Sequence, residues 1–138
     1  MIPLAILILL IGTLLLTIVL IIIMEGVYMP KKAFLKKENN ELFCIVKCII
    51  NTWTIPVDEI ELKRIGEVAT IRLFGVGIPG VISHGIFSGP YGRVTAIAKT
   101  REGLFIRSKD GKLYFIGVPE AKEIYSQYLQ ERGEFEVP

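Results

Sequence analysis

The chain is poor in the residues from which reactive centres are built. Its 138 residues hold one histidine (His84), one tryptophan (Trp53) and two cysteines (Cys44 and Cys48). One histidine and two cysteines cannot make a zinc site at any familiar spacing, so neither metal nor cofactor is expected. There is no second long apolar run after the first, which excludes a multi-spanning transporter, and the length excludes a multidomain enzyme. Repeats and low-complexity tracts are absent. Net charge is only +2, with the cations scattered among acids, so no nucleic-acid partner is expected. Tyr91-Gly92-Arg93-Val94 and Leu104-Phe105-Ile106-Arg107 interleave aromatic and basic residues as some nucleic-acid-binding sheet platforms do, which leaves a membrane-tethered nucleic-acid reader as a minor reading.

What the chain does have is two compositions. Of the first 24 residues, 20 are apolar, and Ile2 to Met24 carries no charge. At ~1.5 Å per residue, 23 helical residues reach roughly 34 Å, enough to cross a ~30 Å hydrocarbon layer. Pro3 falls in the first turn, where a missing N–H costs little. Thr13 and Thr17 are spaced to return their hydroxyls to backbone carbonyls. A cleaved signal peptide is the competing reading. It lacks support from a basic start or a small-x-small cleavage site, and the run exceeds a ~7–15 residue signal core. Residues 1–25 are therefore expected to be a single transmembrane anchor. Lys31, Lys32, Lys36 and Lys37 follow it in a basic juxtamembrane linker, 26–40. The positive-inside rule then puts the N-terminus outside and the C-terminal domain in the cytoplasm, at the cell membrane. The same four lysines are candidate contacts for anionic headgroups.

Beyond the linker, residues 41–131 read as strands followed by one helix. Residues 41–50 form a β-rich run in which Cys44 and Cys48 share a face about 13 Å apart, too far for a disulfide. They read as small buried hydrophobes. Asn51-Thr52 is expected to turn the chain into a strand from Trp53, and Pro56 to Ile60 to form a tight corner. Further strands are expected at 60–65, 69–74, 81–87, 93–99, 104–107 and 113–116. The last two flank Ser108-Lys109-Asp110-Gly111-Lys112, whose Asp-Gly is a strong hairpin signal. Pro119 opens a helix that buries Ile124 and Tyr128, with Ala121 or Leu129 completing the stripe, and Gly133 stops it. Residues 132–138 are an acidic tail. About seven strands and a terminal helix describe a small barrel or sandwich plugged at one end.

Gly75-Val76-Gly77-Ile78-Pro79-Gly80 spells GxGxxG, but a dinucleotide site needs this loop to open a helix. Gly85, Gly89, Pro90 and Gly92 follow too closely for that. The glycines are expected to serve turns or close backbone approach. Ser83 and His84 are neighbours on a strand and point to opposite faces, so they do not make a hydrolase pair. Asp58, Glu59 and Glu61 read as a solvated corner.

Three stretches carry a family resemblance. Ile55-Pro56-Val57-Asp58-Glu59-Ile60-Glu61-Leu62 is similar to an I-P-x-x-x-I corner. Phe74-Gly75-Val76-Gly77-Ile78-Pro79-Gly80 with Gly85-Ile86-Phe87 resembles a glycine–proline loop and its following strand. Val94-Thr95-Ala96-Ile97-Ala98 through Asp110-Gly111-Lys112-Leu113-Tyr114-Phe115-Ile116-Gly117-Val118-Pro119-Glu120 resembles a closing hairpin and capping helix. Together they resemble the prokaryotic pleckstrin-homology-like domain in its membrane-anchored, single-span form, over about residues 42–130. The resemblance implies a bent seven-stranded barrel sealed by the C-terminal helix, a binding or assembly module, and no enzyme activity. Phosphoinositide binding is not implied, because Asn51-Thr52 offers no cation.

The expected function is non-catalytic: a protein-binding, scaffolding or accessory subunit of a membrane complex, with other membrane subunits or itself as partner and no small-molecule substrate. Gly75, Gly77, Pro79 and Gly80, taken with the Ser88–Gly92 loop and its Tyr91, are the candidate partner-binding loops. The alternative is a cytoplasmic-face lipid-binding module working through the four lysines. A hydrolase around His84 is a third reading.

Overall fold

The computed structural model describes residues 2–78 and 82–136. Helix α1 runs Leu4–Tyr28, 25 residues or about 37 Å, uncharged as far as Met24 and exposed from Leu4 to Ile23. It is apolar and long enough to cross a membrane. Thr13 Oγ1 donates to Leu9 O at 2.8 Å and Thr17 Oγ1 to Thr13 O at 2.9 Å, so neither hydroxyl is left unpaired.

The rest is mainly β. The strands are β1 (Pro30–Glu38), β2 (Glu41–Cys48), β3 (Thr52–Arg64), β4 (Ile71–Ile78), β5 (Ile82–Gly89), β6 (Gly92–Ala98), β7 (Glu102–Ser108) and β8 (Leu113–Gly117). A one-turn helix α2, Ile65–Val68, follows β3, and α3, Ala121–Glu136, closes the chain. Among the described residues these strands form one eight-stranded sheet in the order β1-β2-β3-β7-β8-β6-β5-β4. All pairs are antiparallel except β6–β8, which is parallel.

The seven-stranded barrel is thereby corrected: the sheet has one strand more and stays open, with β1 and β4 at its edges. Closure would require β1 to accept a strand, and α3 already occupies that edge. Glu120 Oε1 accepts the Ala33 N–H at 3.0 Å, and Lys37 pairs with Glu131 at 3.2 Å. The extra strand is the lysine segment itself, which is no linker. Ala33 turns inward against β2 while the lysines stay in water, a pattern that blunts an edge.

Other expectations shift locally. Pro56 does not end a strand: β3 runs through it, pairing with β2 up to Pro56 and with β7 from Val57, with a register shift between Val57 and Glu59. The proline's missing N–H falls where β3 changes partner. The β2–β3 hairpin turns at Ile49-Ile50, closed by Cys48 N–H to Asn51 O at 2.8 Å, rather than at Asn51-Thr52. Helix α3 continues past Gly133 to Glu136, into the segment read as a tail. A lone glycine costs a helix about 1 kcal/mol and does not compel a stop.

The sheet is apolar on both faces. One face packs Val46, Ile55, Ile60, Ile97, Leu104, Ile106 and Ile116 under Ala121, Ile124 and Tyr128 of α3. The other gathers Phe87, Val94, Ala96, Phe105 and Phe115 around Ile65 and Val68 of α2. Leu129 is outside the stripe, 47% exposed. Cys44 and Cys48 are free, buried and on one face of β2, as their spacing implied.

The Asp110-Gly111 hairpin forms as expected, with Gly111 at φ 86°. Ser108 Oγ donates to Asp110 Oδ1 and accepts the Lys112 N–H at 3.1 Å. That hydroxyl holds the Asp110 carboxyl below its ordinary value. A depressed carboxylate pKa stabilises the fold above the unfolded value and loses that contribution as pH falls through the folded one. Acidification through the usual carboxylate range is therefore expected to lower the protection of the Lys112 amide relative to its intrinsic exchange rate at each pH, and Asp110→Asn to flatten that pH dependence.

Candidate functional site

The most elaborated region is where α1 meets the sheet. A helix end leaves its last four carbonyls without intrahelical partners. Here two of them are met by the β domain. Ile50 N–H donates to Gly26 O at 2.9 Å, and the Trp53 indole N–H donates to Val27 O at 2.8 Å. The rings of Tyr28 and Trp53 lie 5.6 Å apart, and Tyr114 meets Trp53 edge-on at 6.4 Å. Gly26 lets helix and tip approach closely, since a Cβ there would run into the Ile50 side chain and oblige it to turn aside. Helix and sheet are thus joined through polar and aromatic contacts, with only Met29 between α1 and β1.

The candidate lysines divide into two groups. Lys32 is the register partner of Lys47, and both ammonium groups stand over the Phe34 ring, at 5.6 and 5.7 Å. With Lys31 they sit at the end of β1 nearest α1. Lys36 and Lys37 lie about 13 Å or more farther along the strand and pair with Glu38 at 3.8 Å and Glu131 at 3.2 Å. Sequence reasoning missed Lys47, because its place beside Lys32 follows only from the β1–β2 register.

The candidate partner loops are not brought together. Gly75 and Gly77 lie within β4, paired with Gly85 and Ser83, so their backbone is strand and opens no helix. Pro79 and Gly80 lie outside the described residues. Tyr91 is at the opposite end of β5, in the turn closed by the Gly89–Gly92 pair, roughly 20 Å from the Gly77 level. Its ring rests on Phe105 at 5.1 Å, with Lys63 Nζ 5.5 Å from the ring centre. Glu59 and Arg107, 3.7 Å apart, border this shallow recess of about 210 Å³. A hydrogen bond to Tyr91 holds the Lys63 ammonium above its ordinary value.

A larger groove of about 490 Å³ opens between β3, β7 and the start of α3, lined by Leu62, Arg64, Glu67, Thr100 and Lys122 among others. Four of its charges are matched in pairs: Arg64 with Glu102 at 3.5 Å and Lys63 with Glu67 at 3.9 Å. Among the described residues, no three His, Cys, Asp or Glu side chains converge as a metal site. Burial pushes the thiols of Cys44 and Cys48 up to about 12 and about 11, which keeps both protonated at neutral pH. His84 stands in β5 opposite Val76. Comparison with known proteins finds no matching family model, no matching curated protein and no matching solved structure.

Proposed function

We propose that this chain is a single-span membrane protein whose β domain, a PH-like module on the strength of the sequence resemblance, serves on the cytoplasmic face as a non-catalytic protein-binding, scaffolding or accessory subunit. The observation that carries this reading is the junction. A span hydrogen-bonded into its domain at Gly26 and Val27 presents that domain at a fixed height and orientation, which suits a platform. The terminal helix packed on the sheet supports the PH-like assignment, while the open edges depart from the closed barrel the family implies. Tyr91 on Phe105, rimmed by Lys63, Glu59 and Arg107, has the aromatic centre and charged margin of a partner contact. The β4 edge, with Ile71 and Leu73 exposed, supports self-association.

Native mass of the full chain, extracted gently from its own membrane, tests this. A particle well above the 15.5 kDa chain plus its detergent is expected, and Tyr91→Ala should reduce it. A lone monomer in both cases would contradict a subunit role. The lipid-binding reading is favoured by one specific observation, the grouping of Lys31, Lys32 and Lys47 at the α1 end of the sheet.

A further inference from the structure

The two ends of β2 are chemically opposite. At one end the β1–β2 hairpin turns through Asn39 and Asn40, at φ 54° and 64°. These are residues suited to a tight left-handed turn in water. At the other end, roughly 24 Å away, the β2–β3 hairpin turns through Ile49 and Ile50. Two β-branched apolar residues at a two-residue tip run against turn chemistry, and here they are 59% and 58% exposed. Ile50 lies against Gly26 at the end of α1, and the β domain itself provides no apolar cover for either side chain. Their position distinguishes them: Ile50 is hydrogen-bonded to Gly26, two residues past Met24, where the uncharged run of α1 ends.

From this we infer that the Ile49-Ile50 tip is a second membrane contact, seated in the anionic leaflet surface around the end of α1. The inference rests on reading α1 as a span. With α1 crossing the bilayer, Gly26 lies about 3 Å beyond the last residue of the apolar run, at the level of the headgroups. The tip is held at that same level, so the two isoleucines reach the boundary between headgroups and acyl chains. Trp53 and Tyr28 flank them, and amphipathic rings favour that depth. Lys31, Lys32 and Lys47 surround the tip with positive charge suited to phosphate-bearing lipids. Two anchors fix what one helix leaves free, rotation of the domain about the helix axis and its tilt against the membrane.

The test uses the full chain in nanodiscs of phosphatidylcholine, with or without phosphatidylglycerol. Environment-sensitive labels are placed singly at Ile49→Cys, at Glu41→Cys on the distal hairpin, and at Leu10→Cys within α1. Cys44 and Cys48 are buried, and labelling of the parent chain, which lacks the introduced thiol, gives the background to subtract. A nitroxide carried near the lipid headgroup is expected to quench the label at 49 several-fold more than the label at 41, and more strongly with phosphatidylglycerol present. Changing Lys31, Lys32 and Lys47 together to Gln is expected to remove that dependence on lipid charge. A label at 49 as water-exposed as that at 41, with the one at 10 still in lipid, overturns the second contact and leaves the span intact. Labels at 49 and 10 both in water overturn the two together. Equal quenching at 49 in neutral and anionic discs overturns the assignment to an anionic surface.

Discussion

Gly103→Ala is expected to disrupt the centre of the sheet. Gly103 is buried on β7, and a Cβ there would collide with the Ile116 carbonyl oxygen and lie 2.8 Å from Gly117 Cα. Both obstacles are backbone, so no rotamer change relieves them. Gly117 is equally confined, since its Cβ would meet Ala98 Cβ at 2.7 Å. These small residues let β6, β7 and β8 lie close to one another. Overpacking typically costs about 1–3 kcal/mol, and an immovable backbone contact belongs at or above the top of that range. Unfolding in urea, followed by the fluorescence of Trp53 in detergent micelles, would show a midpoint far below the parent's. A midpoint unchanged by Gly103→Ala would mean that the strands are not packed this closely.

Phe115→Ala is the second large effect, by the opposite fault. Phe115 is fully buried on β8, paired across with Phe105 on β7 and with Ala96 on β6. It shares its cluster with Ile65, Val68 and Phe87, which anchor α2 and β5. Truncating a buried phenylalanine costs about 3–5 kcal/mol, because the site cannot collapse around the lost ring. Against a total stability of roughly 5–15 kcal/mol, that removes a large share. Leu129→Ala, on the exposed side of α3, is the matched control and is expected to stay within about 0.5 kcal/mol of the parent. Comparable losses at 115 and 129 would contradict the placement of the core.

The elements that were legible in the sequence are those written in local chemistry. Helix α1 follows from unbroken apolar composition, the hairpin at Asp110-Gly111 from a residue pair that adopts its turn, and α3 from Pro119 and the Ile124–Tyr128 stripe. What was not legible depends on which strand meets which. The β1 lysines read as a topology signal until β2 is seen beside them. Pro56 reads as a break until β3 is seen to exchange β2 for β7 at that point. The open sheet follows from the β7–β8 hairpin entering between β3 and β6, a non-local choice that no window of sequence contains.

The junction was hidden for the same reason, since its donors at 50 and 53 and its acceptors at 26 and 27 are separated along the chain. One local signal was present. Ile49-Ile50 is an apolar pair where the structure places a turn, and such a conflict between pattern and geometry is expected at functional sites. The candidate loops fared differently: Tyr91 keeps an exposed, charge-rimmed position, while Gly75 and Gly77 became ordinary strand.

The proposed fixed joint between α1 and the β domain is tested most directly by a distance distribution between two spin labels. One belongs near the end of α1, at Ile23→Cys, and the other on the distal hairpin, at Glu41→Cys, with the full chain in nanodiscs. A single narrow distribution is expected, broadening when Trp53→Ala removes the hydrogen bond to Val27 and the ring contact with Tyr28. A broad distribution in the parent chain, unchanged by Trp53→Ala, would show a domain swinging freely from its anchor and would contradict the platform.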